Sequence, residues 1–142
     1  MEKIFVDTSG WVALFVDNDQ NHKKAVSIFE DIESSKALIY TSDYIIDETI
    51  TTILARGNHK QSVLAGEALF TSKIIKIIHV SADYLQVAWE LYQKYKDKSF
   101  SFTDVTSFVI MRNFGIKKAF AFDREFLQAG IELMEMGDDE KK

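Results

Sequence analysis

Apolar positions follow two patterns along this chain of 142 residues. Short runs of consecutive apolar residues, many of them β-branched, are typical of strands that are buried on both faces. Longer segments have apolar residues three and four positions apart, which is typical of amphipathic helices. The predicted strands cover residues 4–6, 37–40, 74–80, 119–122 and 131–134.

Helices are predicted in the segments between these strands. A short one follows Ser9, a second opens at Asn21, and others cover residues 43–56, 61–71, 82–95 and 102–113. For the helix over 82–95, capped by Ser81, the periodicity predicts a core face made of Leu85, Ala88, Trp89 and Tyr92. Strands alternating with helices predict an α/β fold, a three-layer α/β/α sandwich around a mainly parallel sheet of four or five strands.

Composition is consistent with one domain. A hydrophobic share of 46% with 13% aromatic residues is enough to build a sizeable core at this length. We assign residues 1–136 to a single domain. The small and charged residues 137–142 are expected to form a short frayed tail.

The chain contains no cysteine, which excludes disulfides and thiolate metal sites and fits a reducing compartment. No apolar run approaches 18 residues and no signal-peptide pattern opens the chain, so we expect a soluble, cytoplasmic protein without membrane contact. The net charge of −5 argues against strong, sequence-independent attraction to nucleic acid. It does not exclude a nucleic-acid enzyme, because an acidic site that binds cations lowers the net charge.

Four acidic residues are expected to lie at one edge of the sheet. Asp7 and Asp123 each follow a predicted strand, Asp104 opens a helix, and Glu48 lies early in the helix after the second strand. Carboxylates about 5 Å apart repel by roughly 3 kcal/mol per pair at an effective dielectric constant of 20. Such a cluster must therefore either bind protons, with raised pKa values, or bind a hard divalent cation.

Each acid also has a simpler structural interpretation. Asp7 is placed to cap the helix that follows it, and Asp104 stands three residues after Ser101, as in a capping box. Glu48 fits an exposed helix position, and Asp123 fits the start of a turn. The functional argument therefore rests on the four acids jointly.

The order of these acids and their neighbours resembles the PIN domain, and within it the small VapC-type toxin ribonucleases. The resemblance extends from the first strand to about residue 134. It rests on these motifs: Asp7-Thr8-Ser9, Glu48, Ser101-Phe102-Thr103-Asp104 with Ser107, Phe108 and Met111, and Asp123 with Phe126. Ala121 stands where the family often has threonine, which makes Asp123 the weakest match.

The resemblance implies a metal-dependent endoribonuclease. In that family the matching acids bind one or two Mg²⁺ or Mn²⁺ ions and activate water to cut an RNA phosphodiester. Carried over, the metal-binding and catalytic residues are Asp7, Glu48, Asp104 and Asp123. Thr8, Ser9 and Thr103 become candidates for contacts with the substrate or with the catalytic acids. Asp47 is adjacent to Glu48, but successive helix positions point about 100° apart, so only one of the two is expected to face the site.

The resemblance also implies partners. These are an RNA substrate, an antitoxin protein whose tail lies over the acidic pocket, and a second copy in a homodimer that involves the early helices near Trp11 and Phe15. The simplest role of those two aromatic residues is nevertheless in the core. The main alternative is a PIN-like module that binds RNA or protein without catalysis. Two other classes of α/β protein, the phosphorylated signalling domain and the aspartyl phosphatase, fit less well. Each requires a characteristic pair of acids near the first strand, and this sequence has neither pair.

Overall fold

Five strands form one parallel sheet in the computed structural model, which describes residues 1–134. Their order across the sheet is β3-β2-β1-β4-β5. The strands are β1 (Lys3–Val6), β2 (Leu38–Ser42), β3 (Ile75–Ile78), β4 (Lys118–Phe120) and β5 (Glu132–Leu133). The predicted α/β fold with a mainly parallel sheet is thus confirmed.

Seven helices connect the strands of residues 1–134. They are α1 (Thr8–Phe15), α2 (His22–Ser34), α3 (Asp43–Arg56), α4 (His59–Thr71), α5 (Ala82–Lys94), α6 (Phe102–Phe114) and α7 (Glu125–Gln128). In this part of the chain, no helix has the length and apolar character needed to cross a membrane.

The helices form two layers. Right-handed crossovers from β1 to β2 and from β2 to β3 place α1 to α4 on one face of the sheet. The chain then returns across the sheet to β4, which places α5, α6 and α7 on the other face. Contacts agree with this division, since α1 packs on α2 and α3, α3 packs on α4, and α5 packs on α6.

The core lies on both faces of the central strand. Ile4, Phe5 and Val6 of β1 are completely buried, because helices cover the sheet from both sides. Burying side chains of this size stabilises the fold by about 2 kcal/mol each. Trp11 is also buried, and its indole Nε1 donates a hydrogen bond to Thr41 Oγ1 at 3.2 Å. Trp11 is therefore a core residue, as its simplest interpretation predicted.

The predicted core face of α5 is wrong in part. Ala88 is buried and Leu85 is partly buried, but Trp89 is 52% and Tyr92 39% exposed. The periodicity correctly identified the apolar face of the helix. Its pattern could not show that α5 is an outer helix, which packs mainly on α6 and leaves these two aromatic side chains exposed.

Element boundaries are otherwise close to those predicted. Helix α3 has the predicted bounds, while α4 begins two residues earlier than predicted, because Asn58 caps it by accepting a hydrogen bond from the Gln61 N–H. The predicted tail, residues 137–142, and the last two residues of the predicted domain lie outside the described residues.

Candidate active site

The candidate site lies where the strand order reverses. From β1 the chain builds the sheet outward through β2 to β3, and it then crosses back to place β4 on the other side of β1. A crevice opens at the carboxyl ends of two such strands, where ligands bind in open α/β sheets. Asp7 directly follows β1 and Asp123 follows β4 by three residues. The Asp7 N–H donates to the Phe120 carbonyl oxygen at 3.0 Å, which joins the two strand ends.

Asp7 is a buried carboxylate held by a neighbouring serine. Its Oδ2 atom caps α1 by accepting hydrogen bonds from the backbone N–H of Ser9 at 3.2 Å and from the Ser9 hydroxyl at 2.9 Å. The same hydroxyl accepts a hydrogen bond from the Phe122 N–H at 2.9 Å. Ser9 therefore links the first predicted acid to the loop that carries Asp123.

Asp104 also has a structural role. Its Oδ2 atom accepts a hydrogen bond from the Ser101 N–H, and the Ser101 hydroxyl accepts one from the Asp104 N–H, both at 3.0 Å. This is the predicted capping box. For both Asp7 and Asp104, the cap uses Oδ2, and no hydrogen bond within residues 1–134 occupies Oδ1. Capping a helix and binding a ligand are therefore compatible roles for these side chains.

Three of the acids have raised pKa values. Burial raises the pKa of Asp7 from 3.8 to about 7, against the hydrogen bonds from Ser9 and with smaller contributions from Asp104 and Asp123. Burial also raises the pKa of Asp104, with Glu125 and Glu48 adding to the effect. The pKa of Asp123 is raised by burial and then by the same two glutamates. Because Asp104 and Asp123 act on Asp7, and Glu48 acts on Asp104 and Asp123, the four predicted acids lie near one another.

Glu48 lines two cavities at this edge of the sheet. One, of about 420 Å³, is lined by Glu48 and Asp123 together with Thr8 and Ser9. The other, of about 370 Å³, is lined by Glu48 and Thr103. Asp47 lines only the second cavity, so Glu48 is the member of this adjacent pair that faces Asp123. The three predicted contact residues therefore all lie beside the acids.

Two charged residues at the site were not predicted. Glu125 affects the pKa of both Asp104 and Asp123, and its position two residues after Asp123 was a signal available in the sequence. Arg56, two helical turns beyond Glu48 on α3, lines the larger cavity and contacts Asp19 Oδ2 at 3.0 Å. The pairing with Asp19 could not be predicted, because it depends on how the loop between α1 and α2 docks.

The acids suit a hydrated, hard cation. Among residues 1–134, no three or more His, Asp or Glu side chains are arranged as a ready set of metal ligands. Mg²⁺ does not require one, since it commonly binds through one or two carboxylates and keeps several waters. Thr8 lines the larger cavity, and its hydroxyl is buried with no hydrogen-bond partner in the described residues. Carboxylate and hydroxyl oxygens are the donors that such an ion prefers.

Comparison with known proteins decides the family. The profile of the PIN domain matches residues 4–132 of the sequence. The chain belongs to the PIN domain family. PIN-domain nucleases typically use a divalent metal ion, which agrees with the oxygen donors at the strand ends.

Relatives within the PIN domain family include toxins. The chain is 38% identical, over 128 residues, to the 23S rRNA-specific endonuclease VapC20 of Mycobacterium tuberculosis, covering 90% of this chain and 95% of the relative. It also resembles the crystal structure of M. tuberculosis VapC20, described as a sarcin-ricin loop cleaving toxin, with a TM-score of 0.82 at 37% identity over 91% and 96% of the two chains. VapBC2 of Rickettsia felis, bound to a promoter DNA fragment, shares the fold with a TM-score of 0.69 at 13% identity over 92% and 96%.

Proposed function

We propose that this PIN-domain chain, an endoribonuclease of the toxin class, hydrolyses a phosphodiester of large-subunit ribosomal RNA with Mg²⁺ or Mn²⁺ bound at its acidic cluster. The supporting observation is the convergence of Asp7, Glu48, Asp104 and Asp123 at the point where the strand order reverses. The toxin class is supported by the identity with VapC20 over nearly the whole chain. Carboxylic acids with raised pKa values that share one crevice are typical of catalytic sites, which favours an enzyme over a non-catalytic PIN module.

The catalytic roles follow from the positions of the side chains. Asp7 and Asp104 each have a free Oδ1 atom next to a fixed cap bond, so they are oriented to hold a cation. When bound, a divalent ion supplies positive charge that acidifies water and stabilises charge developing on the phosphate. Glu48, Asp123 and Glu125 add negative charge that favours cation binding. Thr8 lines the larger cavity beside Glu48 and Asp123, which places it next to the proposed cation site.

The substrate proposal is more specific than the enzyme class. VapC20 is named as specific for 23S rRNA, and its crystal structure is described as that of a sarcin-ricin loop cleaving toxin. We extend this preference to the present chain because the two sequences are 38% identical across the whole PIN domain.

The test is cleavage of a synthetic sarcin-ricin hairpin by the purified protein, beside a scrambled hairpin of equal length and composition. We expect one cut in the native hairpin with Mg²⁺ or Mn²⁺, and slow or absent cleavage of the scrambled RNA. EDTA is expected to stop the reaction, and adding excess Mg²⁺ is expected to restore it. Cleavage that survives EDTA would contradict the metal-dependent mechanism, and equal cleavage of both hairpins would contradict the target.

Arg56 is expected to bind a phosphate of the RNA. It is a cation lining the larger acidic cavity, and its side chain is 45% exposed. The Arg56→Ala variant should raise KM about tenfold and change kcat by less than about threefold, because a charge-assisted hydrogen bond to phosphate contributes about 1.5–3 kcal/mol. Its bond to Asp19 is partly exposed, so the loss of stability should stay within about 1 kcal/mol.

Steady-state cleavage of the hairpin and thermal unfolding measure the two effects of Arg56→Ala. Lys60→Ala is the matched control, because it removes one exposed positive charge from the same layer of helices. An equal rise in KM for both variants would indicate a general charge effect and would argue against a contact by Arg56.

Partners complete the proposal. We propose that an antitoxin places a basic segment over the acidic cavities, since opposite charges favour that contact.

We also propose a cytoplasmic homodimer that uses apolar side chains of α4, where Leu64 is 57% and Phe70 62% exposed. Trp11 is buried inside the protomer, so it is not part of this proposed dimer contact.

A further inference from the structure

Three aromatic side chains form an exposed cluster on the layer that contains α5 and α6. The rings of Trp89 and Tyr92, on α5, are stacked with their centroids 6.1 Å apart and their planes at 17°. Phe102, the first residue of α6, contacts both of them edge-on, with centroids 6.4 and 5.8 Å away. Trp89 and Tyr92 are among the exposed large apolar residues of the protein. We call these three residues the aromatic cluster.

The aromatic cluster is directly connected to the acidic site. Phe102 lies two positions before Asp104 in the first turn of α6. Thr103, between them, lines the cavity that contains Glu48. The contacts of Phe102 with α5 and of Thr103 with this cavity place the two features on adjoining sides of one helix terminus.

Positive charge follows the aromatic cluster along the chain. Lys94 ends α5, and Lys96 and Lys98 lie in the connection to α6. All three side chains are exposed, and none of them forms an ion pair within the described residues. Asp97 offsets one of these charges, so the segment carries a local surplus of positive charge in a protein whose net charge is −5.

We propose that the aromatic cluster stacks on unpaired bases of the RNA substrate, with the following lysines binding the adjacent phosphates. The proposal rests on the proposed ribonuclease function and specifies how its substrate is held. Proteins recognise RNA loops by stacking splayed bases on aromatic side chains, and a positively charged surface follows the backbone. The cluster offers aromatic faces beside the acids, and the lysines supply charge of the sign opposite to phosphate.

A second copy of the chain fits this surface less well. Two neighbouring exposed aliphatic side chains, Val63 and Leu64, lie on α4 in the layer on the opposite face of the sheet, whereas α5 exposes one, Val87. The segment that joins Tyr92 to Phe102 instead carries exposed lysines, and two copies placed face to face on this layer would bring like charges together. Charge therefore favours RNA as the occupant.

Cleavage kinetics of Trp89→Ala and Tyr92→Ala test the proposal. We expect each variant to raise KM for the sarcin-ricin hairpin about tenfold with kcat nearly unchanged, since each variant removes a ring on which a base can stack. Trp89→Phe, which keeps an aromatic face, should retain most of the affinity. Val87→Ala is the matched control, because it truncates a 48% exposed residue of the same helix without removing a ring. Kinetics indistinguishable from this control would overturn the proposal.

Fluorescence provides a readout that does not depend on cleavage. The chain has two tryptophans, of which Trp11 is buried and Trp89 is exposed. Adding the hairpin to the Asp7→Asn variant should quench Trp89, and the quenching should disappear in Asp7→Asn/Trp89→Phe. Quenching without any cleavage by the wild type would refute the proposed enzyme function but support the aromatic cluster. Cleavage without quenching would support the proposed enzyme function and overturn the proposal for the aromatic cluster.

Sedimentation tests whether a second copy of the chain, and not RNA, covers the aromatic cluster. Trp89→Ala is expected to keep the oligomeric state of the wild type. A change from dimer to monomer in this variant would assign the aromatic cluster to a contact between copies and would overturn the proposal.

Discussion

Replacing Asp7 with asparagine is expected to abolish RNA cleavage, by about 10³-fold or more, and at the same time to stabilise the metal-free protein at pH 8. Activity falls because an amide oxygen carries no charge to hold a divalent ion, and weaker changes around metal ligands already cost 10–100-fold. Stability rises because the buried carboxylate is replaced by a neutral group of the same shape. Asparagine also caps helices well and can still accept the hydrogen bond from the Ser9 N–H.

The pH dependence follows from the raised pKa of Asp7, about 7 in the folded protein against an ordinary value of 3.8. Between these two values the folded state binds more protons than the unfolded state, so stability decreases as pH rises. The full penalty is present above pH 7 and absent below about pH 4. At 1.36 kcal/mol per pKa unit the penalty is about 4 kcal/mol, so Asp7→Asn should gain about 2–4 kcal/mol at pH 8.

Urea unfolding in EDTA at pH 5 and pH 8 measures the stability effect of Asp7→Asn, and cleavage of the hairpin measures the activity. Asp47→Asn is the control, since it removes the same charge from an exposed position and should change stability by less than about 0.5 kcal/mol. Mg²⁺ should stabilise the wild type and leave Asp7→Asn unaffected, because only a protein that binds the ion gains from it. An Asp7→Asn variant that is less stable than the wild type at pH 8 would contradict this account.

Gly10→Ala is expected to destabilise the protein by about 2–3 kcal/mol and to lower kcat at least tenfold. A Cβ atom at Gly10 would lie 2.6 Å from the carbonyl oxygen of Phe120, which is backbone and cannot rotate away. That oxygen also accepts the hydrogen bond from the Asp7 N–H. Relief of the clash must therefore move α1 away from β4 at the candidate site, and small displacements of catalytic groups are costly.

Gly66→Ala is the matched control for Gly10→Ala. A Cβ atom at Gly66 would approach the side chain of Ile50, with Cδ1 at 3.2 Å and Cγ1 at 3.6 Å, and Cδ1 is the end of a flexible side chain. Alanine is also a better helix former than glycine, so this variant should be neutral or more stable by up to about 1 kcal/mol. Thermal unfolding and cleavage rates of the two variants test the difference. Equal losses of stability and of cleavage rate in both variants would show that the close approach of α1 to β4 is not the cause of the effect of Gly10→Ala.

The sequence predicted that Asp7 and Asp123 share one edge of the sheet because topology alone determines it. Once Asp7 and Asp123 follow parallel strands, they must lie at one edge of the sheet, whatever the packing. The contact between Arg56 and Asp19 was not predictable, because it joins a helix to a loop 37 positions away. The exposure of Trp89 was missed for a related reason. Periodicity shows which side of a helix is apolar, whereas burial depends on the size of the neighbouring element.

The pairing of β1 with β4 determines when the proposed acidic site can form during synthesis of the chain. Ser9 and Phe122, whose hydrogen bond joins the two halves of the site, are 113 positions apart. The first strands and their helices leave the ribosome long before the segment that carries Asp123 exists. A nascent chain that ends before β4 has no complete acidic cluster. The proposed site therefore cannot form on an unfinished chain that ends before β4.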